Sequence, residues 1–110
     1  MFQPLKILDI SLKNQRLYHG CKITPVTVKG RETLRLDTPI DSAAVMLAAN
    51  LRQLIQETSP EEWSEVELTG GMSPWAFMTA QAVLTPYLKR LVHYNGQIRV
   101  EIPIPGPKSA

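Results

Sequence analysis

Cysteine is almost absent from this chain of 110 residues, and its single copy, Cys21, excludes an internal disulfide. A protein without disulfides is typical of a reducing compartment, so the sequence predicts a cytoplasmic protein. Cys21 itself is most simply a small core residue. The motifs CxxC and HExxH and paired histidines at ligand spacing are missing too, which argues against a structural metal site.

Long hydrophobic stretches are also absent. The longest uncharged apolar run, from Trp75 to Leu84, is too short to cross a bilayer. The chain does not open with a charged leader followed by an apolar stretch, so the sequence predicts no export signal. The net charge of +2 permits an anionic ligand but falls short of the basic surface of a protein that binds duplex DNA. The length of 110 residues fits one domain, residues 1–110, which is predicted to end in a short tail, residues 103–110.

Strand and helix patterns alternate along the rest of the chain. Residues 5–12 predict a strand, and residues 26–36 predict a hairpin whose turn uses the positive φ of Gly30. The hairpin leads into a first helix, for which Asp41 is the predicted N-cap. The helix is predicted from an apolar stripe at helical spacing, formed by Ala44, Leu47, Ala48, Leu51, Leu54 and Ile55.

A second helix follows a short strand around Val66. Ser73 is a good N-cap for this helix and Pro74 a good first helical residue. The helix is apolar on nearly every side, so it is predicted to be well buried. It should end near Thr85, because Pro86 lacks the N–H that a helix interior needs.

The last local signal is Asn95-Gly96 between two β-rich runs, which predicts a hairpin with a type I′ two-residue turn. The order is thus an N-terminal strand, a hairpin, a helix, a strand, a helix and a hairpin. This order predicts an α+β, ferredoxin-like sandwich, in which two helices lie on one face of a mixed sheet with an extra N-terminal strand.

The turn before the second helix is the main candidate for a binding site. It consists of Gly70, Gly71, Met72, Ser73 and Pro74. A helix N-terminus offers free backbone N–H groups and the positive end of the helix dipole, and glycines let a ligand approach the backbone. Two interpretations stay open from the residues alone, a plain turn and a phosphate site.

Three other residues in the C-terminal third are candidates for catalysis or ligand binding. His93 lies in the last hairpin and is either a general acid or base or an ordinary strand residue. Lys89 and Arg90 bring positive charge nearby and either line a groove for phosphodiesters or form a solvated face.

The stretches LTGGMSPWAFMTAQAVL and LVHYNGQIRVEI together resemble the small CRISPR-associated Csx-three family, found with type III CRISPR systems. That family has a short hairpin, a helix, a strand ending in a Gly-x-x-Pro turn, a buried helix and a last hairpin with a Val-Tyr-Asp-Pro element. The resemblance covers roughly Ile23 to Ile102 and leaves the first twenty or so residues outside it. The family's turn falls on Gly70 to Pro74, with one extra residue before the proline.

The resemblance implies a ring nuclease, which binds and cleaves cyclic tetra-adenylate, the second messenger of type III CRISPR immunity. It also implies a homodimer that stacks further around the ligand, and manganese as a promoter of cleavage. In a metal-independent route the ribose 2′-OH attacks the adjacent phosphorus in line, and the protein orients the ribose and stabilises charge on the phosphate.

The catalytic residues of that family fall on other residue types here. Its histidine falls at Pro86 or Tyr87, and its aspartate falls at Asn95, which leaves His93 and Tyr94 for proton transfer. The alternatives are a sensor or sponge that binds a cyclic oligoadenylate without cutting it, and a protein-interaction subunit unrelated to nucleotides.

Overall fold

The structure of the chain is a computed structural model that describes residues 5–71 and 73–104. Its strands are β1 (Lys6–Asp9), β2 (Ile23–Val28), β3 (Arg31–Leu36), β4 (Glu65–Thr69), β5 (Arg90–Tyr94) and β6 (Arg99–Ile102), and its helices are α1 (Ile40–Gln56) and α2 (Pro74–Leu84), with a 3-10 turn at Pro60–Trp63. In this part of the chain no helix is both long and apolar enough to cross a membrane.

The main sheet has four strands in the order β1-β4-β5-β6. β1, β4 and β5 run parallel, and β6 pairs antiparallel with β5. Parallel neighbours need crossover connections, and α1 and α2 lie in the two crossovers and contact each other. The predicted α+β architecture, two helices packed on a mixed sheet with an additional N-terminal strand, is confirmed. β2 and β3 form a separate two-stranded hairpin.

Strand register decides which side chains meet the helices. Leu8 pairs with Leu68, and Leu68 pairs with His93, so these three residues share the face that the helices cover. The core on this face joins strand and helix residues that are fully or almost fully buried; they include Leu8, Val66, Leu68 and Leu91 from the sheet and Leu47, Leu51, Ala80 and Leu84 from the helices.

The opposite face of the sheet carries most of its charged side chains, together with Ile7 and the buried Val92. Glu67 is only 4% exposed on this face, and its carboxylate accepts a hydrogen bond from Arg99 Nε at 2.9 Å. This bond, followed by the negative charge of Glu67, raises the pKa of Arg99. A buried carboxylate is thus compensated by a cation at the rim of the sheet, as a buried charge requires.

The apolar stripe of the first helix is confirmed, since Leu47, Leu51 and Ile55 are buried. The predicted cap is wrong. α1 has Pro39 as its N-cap, and Asp41 lies inside the first turn. The backbone of Pro39 is extended, and its carbonyl accepts the first helical hydrogen bond, from Ala43 N at 2.8 Å.

α2 begins at Pro74 after Ser73 and ends at Leu84, as predicted. The prediction that α2 is well buried holds for one side of the helix and is wrong for the other, because Met78 is 69% exposed. A helix lying on one face of a sheet can bury only one stripe, which here contains Ala76, Ala80 and Val83. The remaining apolar side therefore faces outward beside β6.

The first hairpin turn is confirmed, with Gly30 at φ 77° and Lys29 at φ 50°. The second turn is not of type I′, which needs positive φ at both central residues. Among the described residues Lys29 alone has a positive φ without being glycine, so Asn95 does not. The turn is centred on Gly96 and Gln97, because Tyr94 pairs with Arg99 and Asn95 N donates to the Ile98 carbonyl at 3.3 Å. The Asn95 side chain also accepts hydrogen bonds from the N–H groups of Gln97 and Ile98.

Candidate functional site

The carboxyl ends of the three parallel strands lie at one edge of the main sheet. β1 ends there at Asp9, β4 at Thr69 and β5 at Tyr94. Ligands in open α/β sheets bind in the crevice outside this edge. The glycine turn from Gly70 to Pro74 leaves β4 at the same edge, so the fold places the turn where a ligand site is expected.

The fold itself requires a glycine at Gly70. Its φ is +102°, a conformation that side chains rarely adopt. A Cβ on this residue would also overlap Asp9 Oδ1 and lie 2.8 Å from Ser11 N. The close approach of the neighbouring loop explains this half of the turn without any ligand.

Gly71 differs from Gly70 in both respects. It has no positive φ, and a Cβ added to it would meet nothing within 4 Å. The described structure therefore places no demand for glycine at this position. Its exposed backbone is open to an approaching group. Met72, which the sequence places in the same site, lies outside the described residues.

Ser73 holds the N-cap position of α2, with extended backbone at φ −67° and ψ 155°. Its hydroxyl makes no capping hydrogen bond to the helix, although its carbonyl accepts one from Ala76 N at 3.0 Å. Pro74 follows as the first helical residue and brings no N–H of its own. The Ser73 hydroxyl is thus available at the positive end of the helix dipole.

A cleft of about 760 Å³ opens between the glycine turn and the β2–β3 hairpin. The loop after β1 forms part of its wall and is held in place by hydrogen bonds. Asp9 Oδ1 accepts from Ser11 N at 2.8 Å, and the Asn14 side chain donates to the Asp9 carbonyl at 2.7 Å. The residues that line the cleft are Asp9, Ser11, Leu12, Lys13, Pro25, Glu32, Thr33, Leu34, Thr69, Gly70 and Gly71.

His93 lies on the helix-covered face of β5. Its ring meets the ring of Phe77 edge-on, with 4.3 Å between the centroids and 66° between the planes. His93 and Pro74 both line a smaller, mostly apolar groove of about 390 Å³ beside α2. The structure thus places His93 and Pro74 in one groove, which within the described part of the chain shares no lining residue with the cleft at Gly70 and Gly71.

Tyr94 and Asn95 do not join His93. Because side chains alternate along a strand, Tyr94 points to the opposite face, where its hydroxyl donates to the Gly96 carbonyl at 3.0 Å. The Arg99 guanidinium lies over its ring, 4.6 Å from the centroid. The side chain of Asn95 is engaged in the hairpin turn. The three residues predicted to be catalytic therefore diverge within one chain.

Lys89 and Arg90 lie at the other end of the sheet from the glycine turn. Arg90 begins β5 and lies four residue steps along the strand from Tyr94, a distance of about 13 Å. Its Nε donates to Glu101 at 2.9 Å, and its guanidinium lies 3.9 Å from Glu65. The structure therefore does not bring these cations to the phosphate site that the sequence predicted.

Several residues of the cleft were missed by sequence reasoning, namely Asp9, Ser11, Lys13, Glu32 and Thr33. The available signal was Asp9, a charged residue at the end of the first apolar strand. Its significance depends on the parallel pairing of β1 with β4, which brings Asp9 level with Thr69. The sequence pattern does not reveal that pairing.

Cys21 is partly buried against the core, as the sequence predicted. Burial raises the pKa of its thiol, so Cys21 stays protonated at neutral pH and is not an activated nucleophile.

Manganese, which the resemblance implies, finds no protein cage in the described part of the chain. Nowhere in residues 5–71 and 73–104 do three His, Cys, Asp or Glu side chains gather as metal ligands. The cleft offers only two carboxylates, Asp9 and Glu32, alongside the cationic Lys13. These residues do not fit a resident metal ion.

Comparison of the chain with protein-family models, with curated proteins and with solved structures finds no match in any of the three.

Proposed function

We propose that this protein binds a cyclic oligoadenylate, in the first place cyclic tetra-adenylate, and that it acts on the ring as a cytoplasmic ring nuclease of type III CRISPR immunity. The proposal places a phosphate of the ring at the turn from Gly71 to Ser73. The observation that supports it is the combination of two features of the turn. The fold does not require a glycine at Gly71, and the hydroxyl of the N-cap residue Ser73 makes no hydrogen bond to the helix.

The chemistry asked of this site is phosphate binding at a helix N-terminus. The N–H of Gly71, the hydroxyl of Ser73 and the helix dipole would stabilise negative charge that grows on the phosphate as the 2′-OH attacks. In this reaction the bond from O2′ to phosphorus forms and the bond from phosphorus to O5′ breaks, giving a 2′,3′-cyclic phosphate and a 5′-hydroxyl. The proposal assigns to His93, which lines a groove with Pro74, the role of accepting the 2′-OH proton.

A homodimer is part of the proposal, and strand β6 is the surface that suits it. Within the described residues β6 has no neighbour on its outer side. Val100 in β6 is 43% exposed, and Ile98, just before the strand, is 58% exposed. If two copies pair antiparallel about Val100, Arg99 of each lies opposite Glu101 of the partner subunit, so the edge is complementary to itself.

A binding protein that does not cut the ring is the second candidate. The divergence of His93, Tyr94 and Asn95 favours it, because the Tyr94 hydroxyl and the Asn95 side chain are engaged in the last hairpin and do not join His93 to protonate the departing 5′-oxygen. Such a protein would act as a sensor or sponge for the second messenger.

One experiment separates these functions. Labelled cyclic tetra-adenylate is incubated with a stoichiometric amount of protein, with and without manganese, while affinity is measured by calorimetry on the same preparation. Linear product supports the ring nuclease, and binding without product supports the sensor. Absence of both binding and product would leave a protein-interaction subunit and overturn the proposal.

A further inference from the structure

We infer that the cleft between the β2–β3 hairpin and the carboxyl edge of β1 and β4 is a nucleoside pocket. It takes the base and ribose of one adenosine unit, while the adjoining phosphate stays outside at Gly71. This inference rests on the proposed function, since it assigns the part of the ring that enters the protein. The contacts of the two walls and the charge of the lining carry it.

The wall on the sheet side is preorganised. Gly70 approaches the loop after β1 so closely that no side chain fits between them. That loop is tied down by the bond from Ser11 N to the Asp9 carboxylate and by the bond from Asn14 to the Asp9 carbonyl. A pocket whose wall is already ordered loses little conformational entropy when a ligand enters.

The hairpin supplies the opposite wall. Ile23 packs against the core, and residues at alternate positions of a strand share a face. Pro25 therefore lies on the same face as Ile23, and its partner Leu34 lies beside it. Both line the cleft together with Leu12 from the sheet side. These three apolar side chains form a surface against which a flat base can stack.

The charge of the lining indicates which part of a nucleotide enters. Asp9 and Glu32 are acidic and Lys13 is basic, so the charged side chains of the cleft sum to −1. Carboxylates repel a phosphate and accept hydrogen bonds from neutral donors. Adenosine brings such donors in its exocyclic amine and its ribose 2′-OH. Glu32 on the hairpin is the acceptor placed across the cleft from the glycine turn.

The size of the cleft agrees with one nucleoside. Its volume of about 760 Å³ lies in the range of small-molecule pockets and is large enough to admit one nucleoside. Gly71 lines the cleft and also belongs to the turn at the start of α2, so a nucleoside in the cleft has its phosphate next to the helix N-terminus.

The test is a titration of isotope-labelled protein with adenosine, which has no phosphate, followed by amide chemical shifts. We expect shifts at Ser11, Lys13, Thr33 and Thr69. Loss of one hydrogen bond in Glu32→Ala should weaken adenosine binding roughly tenfold. The control is Glu57→Gln, which removes an exposed carboxylate at the end of α1, outside the cleft, and should leave binding unchanged.

The same variants, together with Glu32→Gln, are then titrated with cyclic tetra-adenylate. Weaker binding of the ring by Glu32→Ala supports the nucleoside pocket. Tighter binding of the ring by Glu32→Gln would overturn it, because removal of a negative charge would then have helped a phosphate to enter the cleft.

Ring binding that depends on Gly71 and Ser73 but not on Glu32, without an adenosine response, also overturns the pocket and leaves the proposed function standing. An adenosine response that depends on Glu32, without ring binding, keeps the pocket and overturns the proposed function.

Discussion

Gly70 at the end of β4 lies against Asp9 at the end of the neighbouring strand β1, so closely that the space between them has no room for a methyl group. The contact joins the glycine turn to the loop after β1, and that loop borders the cleft. It also separates two glycines that look alike in sequence. Gly70 is fixed by packing and backbone conformation, whereas Gly71 is not.

The two glycines therefore predict opposite outcomes for one chemical change. Gly70→Ala should lower the free energy of unfolding by at least about 2 kcal/mol, because it adds a steric overlap to an unfavourable φ. Gly71→Ala should change it by less than about 0.5 kcal/mol. Urea unfolding measures both. Equal losses in the two variants would contradict this distinction.

Ser73→Ala tests whether the hydroxyl serves a ligand or the helix. Since the side chain makes no capping hydrogen bond, the variant should keep its free energy of unfolding within about 0.5 kcal/mol, instead of losing the ~1 kcal/mol of an ordinary N-cap. Its affinity for cyclic tetra-adenylate should fall by roughly three- to tenfold. Calorimetry and urea unfolding on the same preparation report both quantities.

The hydrogen bond from Trp63 to Thr58 leads us to expect a loss of stability when the Thr58 hydroxyl is removed. The indole is fully buried, and its Nε1 donates to Thr58 Oγ1 at 2.7 Å. Thr58→Val keeps the shape but leaves a buried N–H without an acceptor, so the free energy of unfolding should fall by about 1–3 kcal/mol. Thr27→Val, at an exposed position of β2, is the matched control and should be nearly neutral.

Tyr18 predicts how stability depends on alkaline pH. Burial, followed by the charges of Cys21 and Asp9, raises the pKa of its hydroxyl above the ordinary 10.0, and this hydroxyl donates to the Ile10 carbonyl. Above pH 10 the unfolded chain releases the proton while the folded chain keeps it, so stability falls as pH rises. Tyr18→Phe should be less stable at neutral pH by about 1 kcal/mol.

The comparison of Tyr18→Phe with the parent chain across pH 9 to 11.5 isolates the proton of this residue. The free energy of unfolding of the variant should fall less steeply with pH, and the difference in slope should correspond to about one proton. Parallel curves would show that the Tyr18 hydroxyl does not resist ionisation in the folded protein.

The edge strand β6 predicts the state of association. Val100→Arg places two like charges face to face at the centre of the proposed pairing, so the particle mass should fall from twice 12.3 kDa to 12.3 kDa in light scattering. Ile7→Arg alters the other edge strand at a side chain that is 65% exposed, and it should leave the mass unchanged. A monomeric parent chain would contradict the pairing.

Local chemistry made much of the fold predictable. The stripe of α1, the Ser73-Pro74 start of α2 and the positive φ of Gly30 each follow from a few adjacent residues. Predictions failed where contacts beyond the local sequence determine the exposure of a side chain or the type of a turn. The exposure of Met78 depends on where α2 lies on the sheet, and the Asn95 turn depends on side-chain hydrogen bonds that compete with the type I′ geometry.

The site was predictable only in part for the same reason. The glycine turn is a local signal, and it lies at the expected edge of the sheet. The cleft beside it needs Asp9, Glu32 and Thr69, which are far apart in sequence and meet only through the parallel pairing of β1 with β4 and the placement of the hairpin. Similarly, alternation along β5 separates His93 from Tyr94, although the two are adjacent in the chain.

The β2–β3 hairpin forms one side of the cleft but adds no strand to the main sheet. Most of its side chains are exposed or half-buried, and the fully buried residues belong to other parts of the chain. Natural selection can therefore alter the hairpin with little penalty to folding. If the cleft holds the nucleoside proposed above, changes confined to residues 24–35 would alter which ligand it accepts while the core stays the same.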